Sequence, residues 1–323
     1  MFRWKDFSAK HKPMILLAPM EGYTDSAYRQ LVKSVEPSVV CYTEFTSSDG
    51  LKYGSRRSFQ KIDFKEDERP LIAQIFGKNP EHFGECAKML EEMGVDGIDI
   101  NMGCPSGKVI NSCHGSALFK FPKLACDIVE ATAKATKLDV SVKMRLGFSH
   151  LDINDLLPFT KGLENSGCKH LAIHGRTTKQ KYTGLADFEP IYIIKEHLTI
   201  PVSGNGDIKS FADAQDKLKN LDGLMIGRAT YGNPWVMKEI VEGFKGNTYN
   251  GPKTFLEKLP TIYNQLRLAV DFKGERVGIL EMRKHLANYI KDFPGASKYR
   301  FELVRVNTEQ EAVNILEEIK KSL

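Results

Sequence analysis

Eight short apolar runs, each followed by a stretch of different character, constrain this chain more than any other feature. They cover residues 14–18, 39–45, 71–76, 97–101, 140–145, 170–174, 201–205 and 223–227 and are rich in branched side chains. Each is apolar along its length rather than alternating, the pattern of a parallel strand buried on both faces. The intervening stretches have helical punctuation. At 80–93, Asn79 stands where an N-cap belongs, Pro80 at the first helical position and Gly94 just past the end. Stretches 122–136, 154–166 (followed by Gly167) and 210–218 behave alike. Strand and helix alternating eightfold predict an α/β fold, a (β/α)₈ TIM barrel.

The character changes near Gly246. Gly246, Asn247, Asn250, Gly251 and Pro252 read as a linker, and helices without strands follow at 253–272, 277–290 and 308–323. The first carries Leu256, Leu259, Ile262, Leu266 and Val270 near helical spacing. The expected organisation is therefore a barrel domain over 1–245 and a small all-helical domain over 246–323, a division that suits 323 residues. No apolar run approaches the roughly 18 residues of a membrane span, and no signal segment opens the chain. The six cysteines form no Cys-x-x-Cys pair, which argues against a zinc ribbon or redox dithiol and fits a reduced cytosol. A net charge of +5 permits a polyanionic partner without requiring one.

In such a barrel the residues just past each strand gather at one mouth, and here those positions carry the chemistry. Asn101-Met102-Gly103-Cys104-Pro105 follows the fourth run and holds a thiol in a stiff turn. Cys104 has three readings there: an inert thiol, a nucleophile or a general acid. Lys143 and Gln74 end otherwise apolar strands, so each must find a partner, within the barrel or in a ligand. Asn205-Gly206-Asp207 and Gly227-Arg228 follow the seventh and eighth strands, whose loops commonly form a phosphate site in these barrels. Their small residues admit a phosphate to backbone N–H groups, and Arg228 adds a charged donor. Pro19-Met20-Glu21 follows the first strand, and His174 ends the sixth beside Gly175-Arg176-Thr177, where it is either structural or a ligand contact.

Together these strand ends, with Val142-Lys143-Met144-Arg145-Leu146-Gly147 among them, resemble the tRNA-dihydrouridine synthases, FMN enzymes that reduce uridine in tRNA. The resemblance implies FMN bound by Pro19, Met20, Glu21, Gln74, Lys143, His174, Asn205, Gly206, Asp207, Gly227 and Arg228. It implies hydride transfer from reduced FMN to C6 of uracil, with Cys104 as the acid that protonates C5 and Asn101 orienting the base or the flavin. An ordinary thiol is mostly protonated at neutral pH, which suits that role. No Gly-x-Gly-x-x-Gly fingerprint occurs, so NADPH (or NADH) is expected to visit the flavin transiently. No metal and no membrane are expected, and the protein is expected to be a monomer.

Between Lys273 and Arg305 basic residues outnumber acidic ones. Alone, such a run is a solvated helix face. Arg283-Lys284-His285 resembles the Arg-Lys-His element of the family's helical domain, which implies that Arg283 and Lys284 hold tRNA. Two departures stand out. Lys108-Val109 after Cys104 fits the family, whereas Cys113-His114 is unusual and reads as loop variation rather than a catalytic pair. Asp187-Phe188 stands where the family often has Asp-Trp. The rival readings are another FMN barrel oxidoreductase acting on a free pyrimidine or enone, and an RNA-binding barrel that has lost catalysis.

Overall fold

The computed structural model describes residues 1–104, 115–291 and 293–323. Nine parallel strands build one sheet: β1 (Met14–Leu17), β2 (Cys41–Tyr42), β3 (Thr46–Ser47), β4 (Leu71–Phe76), β5 (Gly97–Met102), β6 (Asp139–Arg145), β7 (His170–His174), β8 (Val202–Asn205) and β9 (Gly223–Ile226). Their order is β1-β9-β8-β7-β6-β5-β4-β2, with β3 also on β4. A parallel bridge between Leu16 and Val40, with the Leu17 N–H donating to Val40 O at 2.9 Å, closes the barrel.

The run at 39–45 was expected as one strand, but only the short β2 lies within it, and β3 follows just past its end. β2 pairs with Leu71 and Ile72, β3 with Ile75 and Phe76. Between them the Gln74 N–H donates to the Thr43 hydroxyl (3.0 Å) in place of a strand carbonyl, and the Glu44 carboxylate turns away to accept the Gly22 N–H. Side-chain oxygens that take over backbone bonds break the ladder there.

The opposite end of the barrel is plugged. Helix Trp4–Lys10 has its Trp4 N–H on Asp139 Oδ2 (2.8 Å) and the Arg3 guanidinium on Asp139 Oδ1 (2.7 Å). The Trp4 indole stacks on His170 at 4.0 Å, above Met14, Leu16, Tyr42, Ile72 and Met225 inside the barrel. With that end filled, a ligand enters only from the mouth at the C-terminal ends of the strands.

The chain beyond the barrel is helical: Phe255–Lys273, Glu275–Tyr289, Ala296–Leu303 and Glu309–Ser322. Thr254 and Glu257 form a capping box at the start of the first. Leu259, Ile262, Leu266, Ile279, Met282, Leu286, Leu303, Leu316 and Ile319 share its core, together with Ala27 and Trp235 from barrel segments. Helix Ala296–Leu303 was not foreseen, since its stripe of Ala296, Tyr299 and Leu303 is short. Lys273 ties this part to the barrel by pairing with Asp25 at 2.5 Å and with Glu281. Asp25 is also the N-cap of helix Ser26–Val35. Burial is the strongest single influence and works to raise its carboxyl pKa, yet the charge and hydrogen bond of Lys273, the Tyr28 N–H and His285 together hold the carboxyl below the usual range. Among the described residues no helix is long and apolar enough to cross a membrane.

Candidate functional site

Period-2 geometry aims one polar row of each central strand into the barrel. Asp99 and Asn101 lie on one face of β5, and Ser141, Lys143 and Arg145 on one face of β6. Gln74 of β4 pairs in register with Asp99, and Asn101 with Lys143. The buried Asp99 accepts from Gln74 Nε2 (2.7 Å) and Ser141 Oγ (2.6 Å). Burial lifts its carboxyl pKa to about 6, although both hydrogen bonds and the Lys143 charge oppose the rise. Gln74 Oε1 accepts from Asn101 Nδ2 at 2.8 Å. Asn101 Oδ1 in turn accepts the backbone N–H groups of Gly103 (3.1 Å) and Cys104 (3.0 Å). Arg145 Nε donates to Gly103 O (2.9 Å) and Ser116 Oγ to Cys104 O (2.9 Å). Four side chains in series thus hold the turn that presents the half-buried Cys104.

The mouth is a cleft of about 1170 Å³. Among the described residues seven cationic side chains line it (Lys143, Arg145, Arg176, Lys181, Lys209, Arg228, Lys291) against two carboxylates, Glu21 and Asp207. Lys143 Nζ donates to Asn205 Oδ1 at 3.4 Å, and Asn205 Nδ2 to Met225 O at 2.7 Å. Burial, then the nearby Arg145 guanidinium, brings the Lys143 pKa down to about 8. Burial likewise pushes His174 down to about 2, helped by Lys143, Arg145, Arg176 and Arg228. His174 is therefore a neutral ring. Its Nε2 lies 3.2 Å from Arg176 Nη1, which can only donate, so Nε2 accepts and the proton is assigned to Nδ1.

Arg176 organises the far end. It donates to Thr183 O (3.2 Å), Gly184 O (2.7 Å) and Asp207 Oδ2 (2.5 Å). Burial tends to raise the Asp207 pKa, but the Ala186 N–H and Arg176 hold it below the ordinary value. Arg228 Nη2 lies 3.6 Å from Asp207 Oδ1, while its guanidinium sits 4.3 Å from the Tyr182 ring and 49 % of the side chain is exposed. Gly206 has φ +128°, and a Cβ there would fall 2.6 Å from the Ala186 Cβ, so the close turn requires glycine.

The cleft brings together Pro19, Met20, Glu21, Asn101, Cys104, Lys143, His174, Asn205, Gly206, Asp207, Gly227 and Arg228. Gln74 lies beneath it and reaches it through Asn101. Lys284 sits over the Tyr23 ring at 5.2 Å, next to the cleft. Arg283 is not in the cleft. Its guanidinium donates to Val306 O (2.8 Å), Arg305 O (3.2 Å) and Asn307 Oδ1 (2.9 Å), holding the segment between the last two helices. Pro105, Lys108, Val109, Cys113 and His114 lie outside the described residues. Arg145, Arg176, Asp99, Tyr182, Tyr23 and Tyr231 were not expected as site residues. A period of two from Lys143 and from Asn101 points to Arg145 and Asp99; nothing local marks the others. Among the described residues no cluster of three or more His, Cys, Asp or Glu could hold a metal ion.

A family model described as dihydrouridine synthase (Dus) matches residues 16–323. The probable tRNA-dihydrouridine synthase of Rickettsia conorii is 38% identical over 289 residues, 88% of this chain and 87% of that protein. The tRNA-dihydrouridine synthase B of Xanthomonas campestris is 35% identical over 300 residues, 92% of this chain and 90% of that protein. Among solved structures, a variant of NCR from Zymomonas mobilis matches with a TM-score of 0.50 at 16% identity, covering 74% of this chain and 88% of that one. That likeness speaks for the barrel alone. With a family match spanning the barrel strands and the helices beyond them, and relatives of this identity over nearly the whole length, the chain belongs to the dihydrouridine synthase family.

Proposed function

We propose that this protein reduces the C5–C6 double bond of uridine in tRNA to 5,6-dihydrouridine, with FMN as its bound cofactor and NADPH (or NADH) as the source of reducing equivalents. The observation that carries this reading is the braced Cys104 turn at the edge of a cleft lined by seven cations and two carboxylates. A thiol held to a fixed position suits directed proton transfer, and an electropositive cleft suits a phosphate and an electron-rich ring.

The residues present fit FMN. Gly206, Gly227 and the half-exposed Arg228 offer a cradle for a phosphate at the ends of β8 and β9. Lys143, Asn205 and the neutral His174 offer a cation and polar groups beside it. When bound, FMN supplies the two-electron reducing power. The chain's own residues do the rest. Lys143 places positive charge where negative charge collects during reduction. Cys104 delivers the proton from its Sγ to C5 of the pyrimidine. Lys143 and Arg145 stand close enough to interact with Cys104 electrostatically, so they favour the thiolate left after the proton has gone. Asn101 fixes the direction of delivery through the two N–H groups it holds. Uridine in folded tRNA is stacked or paired, so the base must be turned out to reach this recess. Exposed Lys181, Lys209 and Lys291 on the rim suit the phosphates that arrive with it.

The direct test incubates the purified yellow protein with NADPH and an unmodified tRNA transcript and measures dihydrouridine by mass. Absence of the two-hydrogen mass gain under conditions that oxidise NADPH would overturn the reading. Arg228→Ala is expected to weaken FMN retention about 5- to 20-fold, the loss of a charge-assisted hydrogen bond. Flavin release measured by fluorescence on dilution checks this, and wild-type retention would remove Arg228 from the phosphate site.

A further inference from the structure

We infer that Tyr23 and Tyr231 form a stacking platform for an unpaired nucleobase of the RNA, at the seam where helix Glu275–Tyr289 meets the barrel mouth. The inference rests on the RNA-modifying reading above and adds to it a specific aromatic contact. The two rings are stacked, with centroids 3.9 Å apart and planes 15° from parallel. Both are half-buried and both line the cleft, although one follows β1 and the other β9.

The support beneath them is rigid. The Tyr23 N–H and Thr24 N–H both donate to Met20 O (2.9 and 3.0 Å), and the Met20 N–H donates to Thr24 Oγ1 (2.8 Å). Tyr231 ends a short turn whose Thr230 O accepts the buried Tyr28 hydroxyl at 2.6 Å. Gly232 (φ +62°) lies so close to Asn288 that a Cβ would meet its carbonyl oxygen at 2.3 Å. The helical part therefore packs directly on the loop that carries Tyr231.

The platform is also charged at its edge. Lys284 Nζ lies 5.2 Å from the centroid of the Tyr23 ring, and His285 meets that ring edge-on at 5.0 Å. The His285 ring is buried, and that burial pushes its pKa to about 4, so it serves as an uncharged wall rather than a cation. Lys291 is exposed on the same rim. A planar ring pair with cations beside it matches a nucleotide, with the base on the ring face and its phosphate on the ammonium. An RNA that touches both the basic helices and the cleft must cross this seam. Among the described residues Tyr231 pairs with no aromatic ring other than Tyr23, and it is half-buried in the wall of the cleft, the side from which a base would extend the stack.

The test measures Kd for an unmodified tRNA transcript over a salt series. Stacking displaces no counterions, whereas phosphate contacts do. Tyr231→Ala is expected to raise Kd by about 5- to 150-fold at every salt concentration without changing the slope of log Kd against log salt. Lys284→Ala is expected to flatten that slope. Tyr231→Phe, which keeps the ring, should restore the affinity. A slope that flattens in Tyr231→Ala would mean that the ring only positions the basic helices, and would overturn the platform. Wild-type Kd in Tyr231→Ala would do the same, as would a loss in Tyr231→Phe equal to that in Tyr231→Ala. Flavin content reports folding; should Tyr231→Ala lose it, Tyr231→Leu keeps apolar bulk without an aromatic face and is held to the same outcomes. Failure of the wild-type protein to form dihydrouridine sinks the functional reading, whereas dihydrouridine formation with no effect of Tyr231→Ala sinks only the platform.

Discussion

Cys104→Ala is expected to lower dihydrouridine formation by about 10²–10⁴-fold, the range for loss of a general acid. The variant should still hold flavin and oxidise NADPH, because the thiol is not among the groups proposed to bind either. The surroundings sharpen the expectation. Asn101, Arg145 and Ser116 hold the backbone of residues 103 and 104, so the turn survives the loss of Sγ. A single-turnover measurement separates the outcomes: bound flavin reduced at the normal rate, followed by slow product formation. Normal product formation in the variant would take Cys104 out of the mechanism.

The second large effect concerns Lys143. Lys143→Met is expected to slow reduction of the bound flavin by about 10²–10³-fold, the usual cost of deleting one preorganised electrostatic donor. A stability measurement on flavin-free protein provides an independent check. Burial brings the Lys143 pKa down from its ordinary 10.5 to about 8. Between those values the unfolded chain binds more protons at this group than the folded one, so its contribution to stability rises with pH. Below about pH 8 the full penalty of a buried charge is present; above about 10.5 it is gone. The melting temperature of wild type minus that of Lys143→Met should therefore climb from pH 8 to 10.5. A flat difference would mean that the lysine is solvated and not held in the barrel mouth.

The two variants are expected to fail at different stages, which makes them a pair. One should stop after flavin reduction and the other before it. An electropositive cleft that served some other phosphate ligand would not divide the effects in that way.

The barrel was legible in the chain because a parallel strand buried on both faces leaves an uninterrupted apolar run, and the polar residue that ends it has to point at the mouth. β4, β7 and most of the others lie within a residue or two of their expected limits. The strand expected at 39–45 did not survive whole, since the hydroxyl of Thr43 competes for a ladder bond in a way that apolar content cannot register. Asn101 was read as a contact to the base or the flavin. Asn101 lines the cleft, and its carboxamide also bonds Gln74 and the N–H groups of Gly103 and Cys104, a bracing duty that its sequence position does not reveal.

Arg283 and Lys284 show the limit most plainly. Adjacent in sequence and alike in charge, they were read together as tRNA contacts. One donates to the carbonyl oxygens of Arg305 and Val306 in a neighbouring segment, and the other lies over Tyr23 at the edge of the cleft. By itself the sequence determined the strand-and-helix alternation, the end of the barrel at which the polar residues gather, and the residue types delivered there. Those properties are periodic or local, and each is written within a few residues. Tertiary structure alone decided which arginine brings Gly103 and Thr177 together, that His174 is a neutral acceptor, and that Tyr23 meets Tyr231. Burial, through-space charge and ring contact depend on distances between segments far apart in the chain, and those distances exist only once it is folded.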